Sequence, residues 1–138
     1  MDHAIIVAGG KGLRMGGEIP KQFLELQGLP ILMHTINRFR EYSPELDIIL
    51  VLPVDQQDYW HELCRKHSFD VKVRIANGGD TRYQSVRNGL ELIDDDPQGV
   101  VGVHDGVRPL LTVDLIERCF AGARKYDMCI PVVPVVDT

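Results

Sequence analysis

The opening of the chain restricts its fold more than any other part. Ala4-Ile5-Ile6-Val7-Ala8 is an unbroken apolar run, and it passes without a spacer into Gly9-Gly10-Lys11-Gly12-Leu13-Arg14-Met15. A short run rich in β-branched residues and ended by glycine reads as a buried parallel strand, because a strand covered on both faces has no polar side to show. The glycines let backbone N–H groups approach a ligand closely, at an entropic cost that a plain connection rarely needs to bear. Arg14 and Lys21 follow and add positive charge. The turn therefore suits a polyphosphate, but it matches neither familiar template. A dinucleotide fingerprint read from Gly10 has Met15 at its sixth position, and Gly16-Gly17 is followed by Glu18 rather than by the lysine of a P-loop. The alternative is a tight strand–helix connection flanked by two surface cations.

Further apolar runs at 47–52, 71–76 and 100–104 have the same character, and 128–136 is a fifth, weakened by Pro131 and Pro134. Helical patterns lie between them. Pro30 suits the first position of a helix that turns Leu32, Ile36 and Phe39 to one side. Residues 59–67 form a second helix. A third is capped by Asp80 or Thr81, with Val86, Leu90 and Ile93 on one face. A fourth starts near Thr112 or Asp114 and turns Leu115, Cys119, Ala123 and Tyr126 inward. Alternating strands and helices predict an α/β fold: a Rossmann-like, mostly parallel, doubly wound sheet with helices on both faces, in one domain over 1–138. In such a sheet the ligand lies beyond the carboxyl ends of the strands.

Composition narrows the function classes. With 138 residues, 44% hydrophobic and 25% charged, the chain can bury one core. No apolar run approaches the ~20 residues of a membrane span, and Met1-Asp2-His3 has no signal-peptide character, so a cytoplasmic protein without membrane partners is expected. Cys64, Cys119 and Cys129 are odd in number and lack CxxC spacing, which favours reduced thiols over a disulfide frame or a zinc site. A net charge of −5 argues against nucleic acid, so an anionic ligand must be held by local cations. The histidines and Trp60 form no cluster of catalytic or metal-binding type.

Three more segments carry chemistry. In Asn77-Gly78-Gly79-Asp80-Thr81-Arg82 a strand ends in a double glycine and a helix begins, with Ser85 one turn on. Free N–H groups there could read a base or ribose, or the segment is an ordinary capped helix with Arg82 and Arg87 solvated. In His104-Asp105-Gly106-Val107-Arg108-Pro109, a carboxylate at the end of a buried strand is costly unless a cation meets it. Mg²⁺ with phosphate oxygens would suit Asp105, and an ion pair with Arg108 is the alternative. His104 reads as a packed core histidine. Asp137 and Thr138 fall at the same expected edge, in Pro134-Val135-Val136-Asp137-Thr138.

Together these motifs resemble the cytidylyltransferases of sugar-alcohol phosphates, most closely those acting on 2-C-methyl-D-erythritol 4-phosphate. The match runs through Ala8 to Met15, Pro20-Lys21-Gln22, Gly78 to Arg82 with Ser85-Val86, His104 to Pro109, and Pro134 to Thr138, in family order across essentially the whole chain. The resemblance implies transfer of a cytidylyl group from CTP to the alcohol phosphate, with release of pyrophosphate, in non-mevalonate isoprenoid synthesis. It gives Ala8, Gly9, Gly10 and Gly12 to the nucleotide and its phosphates, and Arg14 and Lys21 to charge at the α-phosphorus. Gly79, Asp80 and Ser85 fall to cytosine or ribose, with Arg82 supporting that loop. Asp105 is implied to hold Mg²⁺ and nucleotide, with Gly106 alongside, and Arg108 and Thr138 to face or brace the acceptor. Gly9 and Gly106 stand where many family members carry alanine. Members run well beyond 200 residues, so a C-terminal part and the arm that forms a homodimer are expected to be absent from these 138.

The implied chemistry needs no general base, because the attacking phosphate has a second pKa near ~6 and is already largely ionised. Catalysis then rests on positioning and on cations that offset an in-line meeting of anions. Ribitol 5-phosphate is the rival acceptor. A sugar-1-phosphate nucleotidyltransferase leaves the Gly-Gly-Asp-x-Arg and His-Asp-Gly-Val-Arg-Pro segments without a role. A non-catalytic nucleotide-binding domain leaves Arg14 and Lys21 without one.

Overall fold

β1 (His3–Val7) occupies the middle of the sheet because both of its faces are apolar. Ala4 and Ile6, with Ala8 beyond, turn to one side, and Ile5 and Val7 to the other. The computed structural model describes residues 1–8, 19–94, 98–108 and 110–130. After β1 come a short 3-10 helix (Lys21–Phe23), β2 (Glu25–Leu26), β3 (Leu29–Pro30), α1 (Ile31–Tyr42), β4 (Asp47–Leu52), α2 (Val54–Lys66), β5 (Arg74–Asn77), α3 (Arg82–Leu90), β6 (Val101–Asp105) and α4 (Val113–Tyr126).

Four strands form a parallel sheet in the order β5-β4-β1-β6, with Ile5 in register with Ile49 and Val103. Leu32 and Ile36 of α1, Trp60 and Leu63 of α2, and Ile116 and Phe120 of α4 cover one face. The other face is covered by α3, where Val86 and, just past the helix, Ile93 pack on Ile5, Val51 and Ala76. Gly89 lets α3 cross close to the strands, since a Cβ there would stand 3.0 Å from Ile5 Cγ2 and 3.2 Å from Val51 Cγ2. Side chains such as Ile5, Ile49 and Leu50 are wholly buried, each contributing about 1.5–3 kcal/mol. The doubly wound α/β sheet expected from the sequence is thus present.

Several boundaries differ. The third strand begins at Arg74, where pairing with Ile49 of β4 starts, so Val71 and Val73 pack without joining the ladder. The fourth runs to Asp105 and is half-exposed rather than buried, with Val101 and Val103 open to solvent, because it stands at the end of the described sheet. Pro30 sits one residue before α1 rather than as its first residue. α2 starts at Val54, earlier than expected, because Gln56 completes the buried stripe of Trp60 and Leu63 yet is polar and hides its period. In α4 the buried residues are Ile116 and Phe120. Phe120 stacks on Tyr42 with ring centroids 5.2 Å apart, which rotates the inward face by one residue. Leu115, Cys119 and Ala123 are half-buried, and Tyr126 is exposed. Residues 128–130 are not strand, and 131–136 of the expected fifth strand lie outside the described residues. Two elements were not expected: the 3-10 helix and the β2–β3 hairpin, whose turn residues Gln27 and Gly28 both have positive φ (53° and 82°). Among the described residues no helix is long and apolar enough to cross a membrane.

An ionic cluster ties the amino ends of the strands together. The Arg74 guanidinium donates to both oxygens of Asp47, at 3.0 and 2.6 Å, and His3 Nδ1 lies 2.6 Å from Asp47 Oδ2. Burial pushes the Asp47 carboxyl up, but Arg74 and His3 outweigh it and hold the group below the usual aspartate range. A carboxylate depressed in the folded state stabilises it above its unfolded pKa, near ~4. That contribution is lost as pH falls through the lower, folded value. Asp47→Asn should therefore cost about 2 kcal/mol at neutral pH and flatten the acid limb of the stability curve. Urea midpoints from pH 7 downward would show it, and parallel acid limbs for variant and parent would refute it.

Candidate active site

The carboxyl ends of the strands present their backbones in line. Ala8 N–H donates to Val51 O at 3.0 Å, Gly78 N–H to Leu52 O at 2.8 Å, and Gly106 N–H to Val7 O at 2.9 Å. Each bond carries the ladder one step past its strand, so the loops after β1, β5 and β6 leave from one edge. From inside the layer, buried Thr35 of α1 donates its hydroxyl to Gly106 O at 3.0 Å. A Cβ on Gly106 would stand 2.8 Å from Leu32 Cδ1 and 3.1 Å from Ala8 Cβ, so the alanine common in the family pattern would require Leu32 to shift.

Lys21 is exposed, but its two neighbours are buried and fix its place. Gln22, 2% exposed, donates from Nε2 to Ala8 O at 3.0 Å and to Gln56 Oε1 at 2.7 Å. Phe23 meets Tyr59 edge-on with ring centroids 5.2 Å apart and stacks toward Trp60 at 6.4 Å. The amide ties the segment to the end of β1, and the ring ties it to α2. The Lys21 backbone is thereby fixed on two sides, close to the end of β1.

At the end of β5, Gln57 Nε2 donates to Leu52 O and Asn77 Oδ1, and Asn88 Nδ2 donates to Asn77 O. Thr81, not Asp80, caps α3: its hydroxyl accepts from Gln84 N–H at 3.0 Å. Asp80 stays exposed. Ser85 is buried and accepts from Gly79 N–H at 3.0 Å, which leaves its hydroxyl hydrogen to donate elsewhere. A Cβ on Gly79 would strike Gln84 Cγ at 2.4 Å, so the loop closes this tightly only with glycine.

Asp105 meets the cations its position demands. Arg82 Nη1 stands 2.5 Å from Oδ1, and Arg108 Nε stands 3.4 Å from Oδ2. The Arg108 pairing was the plain structural alternative; the pairing with Arg82 joins the loops after β5 and β6. His104 is a packed histidine, as expected. Its Nε2 lies 3.1 Å from Arg108 O and its ring meets Phe39 edge-on. Burial pushes its imidazole below the ordinary range, and the Arg108 carbonyl only partly offsets this. Among the described residues no three His, Cys, Asp or Glu side chains gather into a metal cage. A single partly exposed carboxylate at the carboxyl edge of the sheet fits an ion held mainly by substrate oxygens and water, as Mg²⁺ is.

A family model described as IspD, 2-C-methyl-D-erythritol 4-phosphate cytidylyltransferase, matches residues 3–138. The chain belongs to this family. It is 56% identical over 134 residues to the 2-C-methyl-D-erythritol 4-phosphate cytidylyltransferase of Bacteroides thetaiotaomicron, covering 97% of this chain and 60% of that protein. It is 55% identical to the Bacteroides fragilis enzyme of the same name, covering 98% and 61%. Among solved structures, 4-diphosphocytidyl-2C-methyl-D-erythritol synthase from Anaerococcus prevotii superposes with a TM-score of 0.69 at 33% identity, covering 89% of this chain and 50% of that one. The chain thus spans about 60% of the length of the curated relatives it matches.

Of the residues that the family resemblance singles out, Ala8, Gly79, Asp80, Asp105, Gly106 and Arg108 lie at the carboxyl ends of strands or in the loops that follow, Lys21 opens the 3-10 helix, and Arg82 and Ser85 lie in the first turn of α3. Direct contacts join Arg82, Asp105 and Arg108, and separately Gly79 and Ser85. Gly9, Gly10, Gly12, Arg14 and Thr138 lie outside the described residues. Sequence reasoning missed Gln22 as an anchor, Gln56 as its partner, and Thr35 as the support of Gly106. The available signal was a polar residue standing in an otherwise apolar helical stripe: Gln56 before Trp60 and Leu63, and Thr35 beside Ile36 and Phe39.

Proposed function

We propose that this chain carries the nucleotide-binding and phosphate-facing portion of a cytidylyltransferase. The enzyme joins CTP to 2-C-methyl-D-erythritol 4-phosphate, giving 4-diphosphocytidyl-2-C-methyl-D-erythritol and pyrophosphate. The observation that carries the reading is the double anchoring of the Lys21 segment beside Ala8, with Asp105, Arg82 and Arg108 joined at the same sheet edge. Exposed cations on rigid supports at a strand–turn edge suit a reaction whose difficulty is the approach of two anions. The names borne by its relatives agree with that chemistry.

In this reading Ala8 with Gly9, Gly10 and Gly12 lines the phosphates, and Gly79, Asp80 and Ser85 face the base or ribose. Lys21 and Arg14 offset charge at the α-phosphate. Arg108 and Thr138 face the acceptor. Asp105 is the residue to hold Mg²⁺, which when bound supplies positive charge between phosphate oxygens. Arg82 would then give up part of its hold on that carboxylate and keep the base-facing loop in place. A cytoplasmic homodimer completes the proposal.

The test is pyrophosphate release with CTP and Mg²⁺ against a panel of acceptors. Methylerythritol phosphate should outperform ribitol 5-phosphate by at least about tenfold in kcat/KM, and chelating the metal should abolish turnover. Equal use of ribitol 5-phosphate, or full activity in excess EDTA, would sink the corresponding part of the proposal.

A further inference from the structure

Two cysteines that the site leaves unused stand together. Cys119 lies in the middle of α4, and the helix ends at Asp127, whose left-handed backbone (φ 69°) turns the chain. The next residues come back against the helix. Cys129 rests over Gly122, where a Cβ would stand 2.8 Å from its Sγ and 3.1 Å from its Cβ. Gly122 is the i+3 neighbour of Cys119 on the same helical face, and burial together with the nearby Cys129 thiol raises the Cys119 thiol above its ordinary range. Both residues line the clefts along β6. Cys129 is exposed and Cys119 is half-buried, whereas the third cysteine, Cys64, packs against the core from α2.

We propose that Cys119 and Cys129 are a reversible thiol–disulfide site, closed by a hydroperoxide and reopened by a dithiol. The roles follow from exposure. The accessible Cys129 thiolate takes an oxygen from hydrogen peroxide, becoming a sulfenic acid as the O–O bond breaks and water forms. The Cys119 thiolate then attacks that sulfur, the S–O bond breaks, and the oxygen leaves as a second water. Two electrons pass from the thiol pair to the peroxide, and the two thiol protons end in the waters. Burial raises the Cys119 thiol above its ordinary range, which suits a resolving partner better than a first target. Gly122 is the seat that brings the sulfurs together. The bridge would fix the chain where it leaves α4.

The experiment is mild peroxide treatment of the intact chain at neutral pH, followed by peptide mapping and thiol counting. The expected product is a Cys119–Cys129 bridge with a mass loss of about 2 Da, reversed by dithiothreitol. Cys64 stays free. Because these cysteines are also close in sequence, the unfolded chain in urea is the reference: the native chain should close at least about tenfold faster. Gly122→Leu, a good helix former that fills the seat, should remove most of that advantage without touching either sulfur. The bridged protein should melt about 5 °C or more above the reduced one, a shift that does not depend on any variant folding. Closure no faster than in urea, oxidation of Cys64 first, over-oxidation of Cys129 without a bridge, or a bridge indifferent to Gly122→Leu would each overturn the proposal.

Discussion

Replacing Lys21 with alanine should lower kcat for the proposed CDP-alcohol formation by about 10²–10³-fold, or roughly 3–4 kcal/mol of transition-state stabilisation. The melting temperature should hardly move. The two expectations belong together because of how the residue is held. The Lys21 side chain is exposed, so its removal opens no cavity, and surface substitutions of this kind stay within about ±0.5 kcal/mol of stability. Its backbone, in contrast, is fixed by Gln22 and Phe23 on buried partners. A cation held that way costs little reorganisation when charge builds at a phosphate, and that pre-placement is what the reaction would lose. Lys21→Arg should recover only part of the rate, because a planar fork does not replace a point charge at a fixed position. A kcat within a few-fold of the parent for Lys21→Ala, with CTP saturating, would remove the lysine from the chemistry.

Gln22→Leu should have the largest effect on stability among the site substitutions, about 2–4 kcal/mol. The Gln22 amide serves two buried acceptors, the Ala8 carbonyl and Gln56 Oε1, and leucine satisfies neither. Gln56→Leu should be much milder. Gln56 is fully buried and its own Nε2 has no hydrogen-bond partner among the described residues, so its removal also takes away an unsatisfied donor. Gln22 would keep its bond to Ala8 O. The asymmetry between the two amides is the informative quantity, read from urea midpoints of both single variants and the double. Equal costs would mean that the pair acts simply as two buried polar groups. A Gln22→Leu variant as stable as the parent would mean that the Lys21 segment is held by Phe23 alone. If the anchor acts as described, Gln22→Leu also lowers kcat while CTP binding by calorimetry stays near normal.

Much of this was legible in the residues, and for identifiable reasons. The strands at 4–8 and 47–52 declared themselves because a parallel strand buried on both faces must be apolar throughout. The edge on which the motifs gather followed from each motif standing directly after a strand. Asp105 was marked by an expected cost, a carboxylate at a strand end that needs a cation; the fold supplies two, although β6 is half-exposed rather than buried. What escaped was set by contacts distant in sequence. Nothing local to Gln22 says that its partner is Gln56, since only the docking of α2 against the 3-10 helix brings them together. The same holds for Thr35 and Gly106. The inward face of α4 was misjudged because its apolar residues permit two neighbouring stripes, and the stacking of Phe120 on Tyr42 decides between them. The start of α2 was hidden by a buried residue that happens to be polar.

The unequal cover on the two sides of the sheet has a consequence for how the site is coupled to the core. Among the described residues one side carries α1, α2 and α4 and a run of large side chains from Leu32 to Phe120, whereas the other is closed by α3, a nine-residue helix whose own buried residues are Ser85 and Gly89. Lifting α3 would bare Ile5, Val7, Ile49 and Val51 of the sheet, so the helix opens only at the cost of that whole face. Ser85, in its first turn, holds the Gly79 N–H. The portion of the edge assigned to the base is therefore mounted on a thin layer that also seals one side of the core. A substitution that loosens α3 would disturb base recognition and stability together.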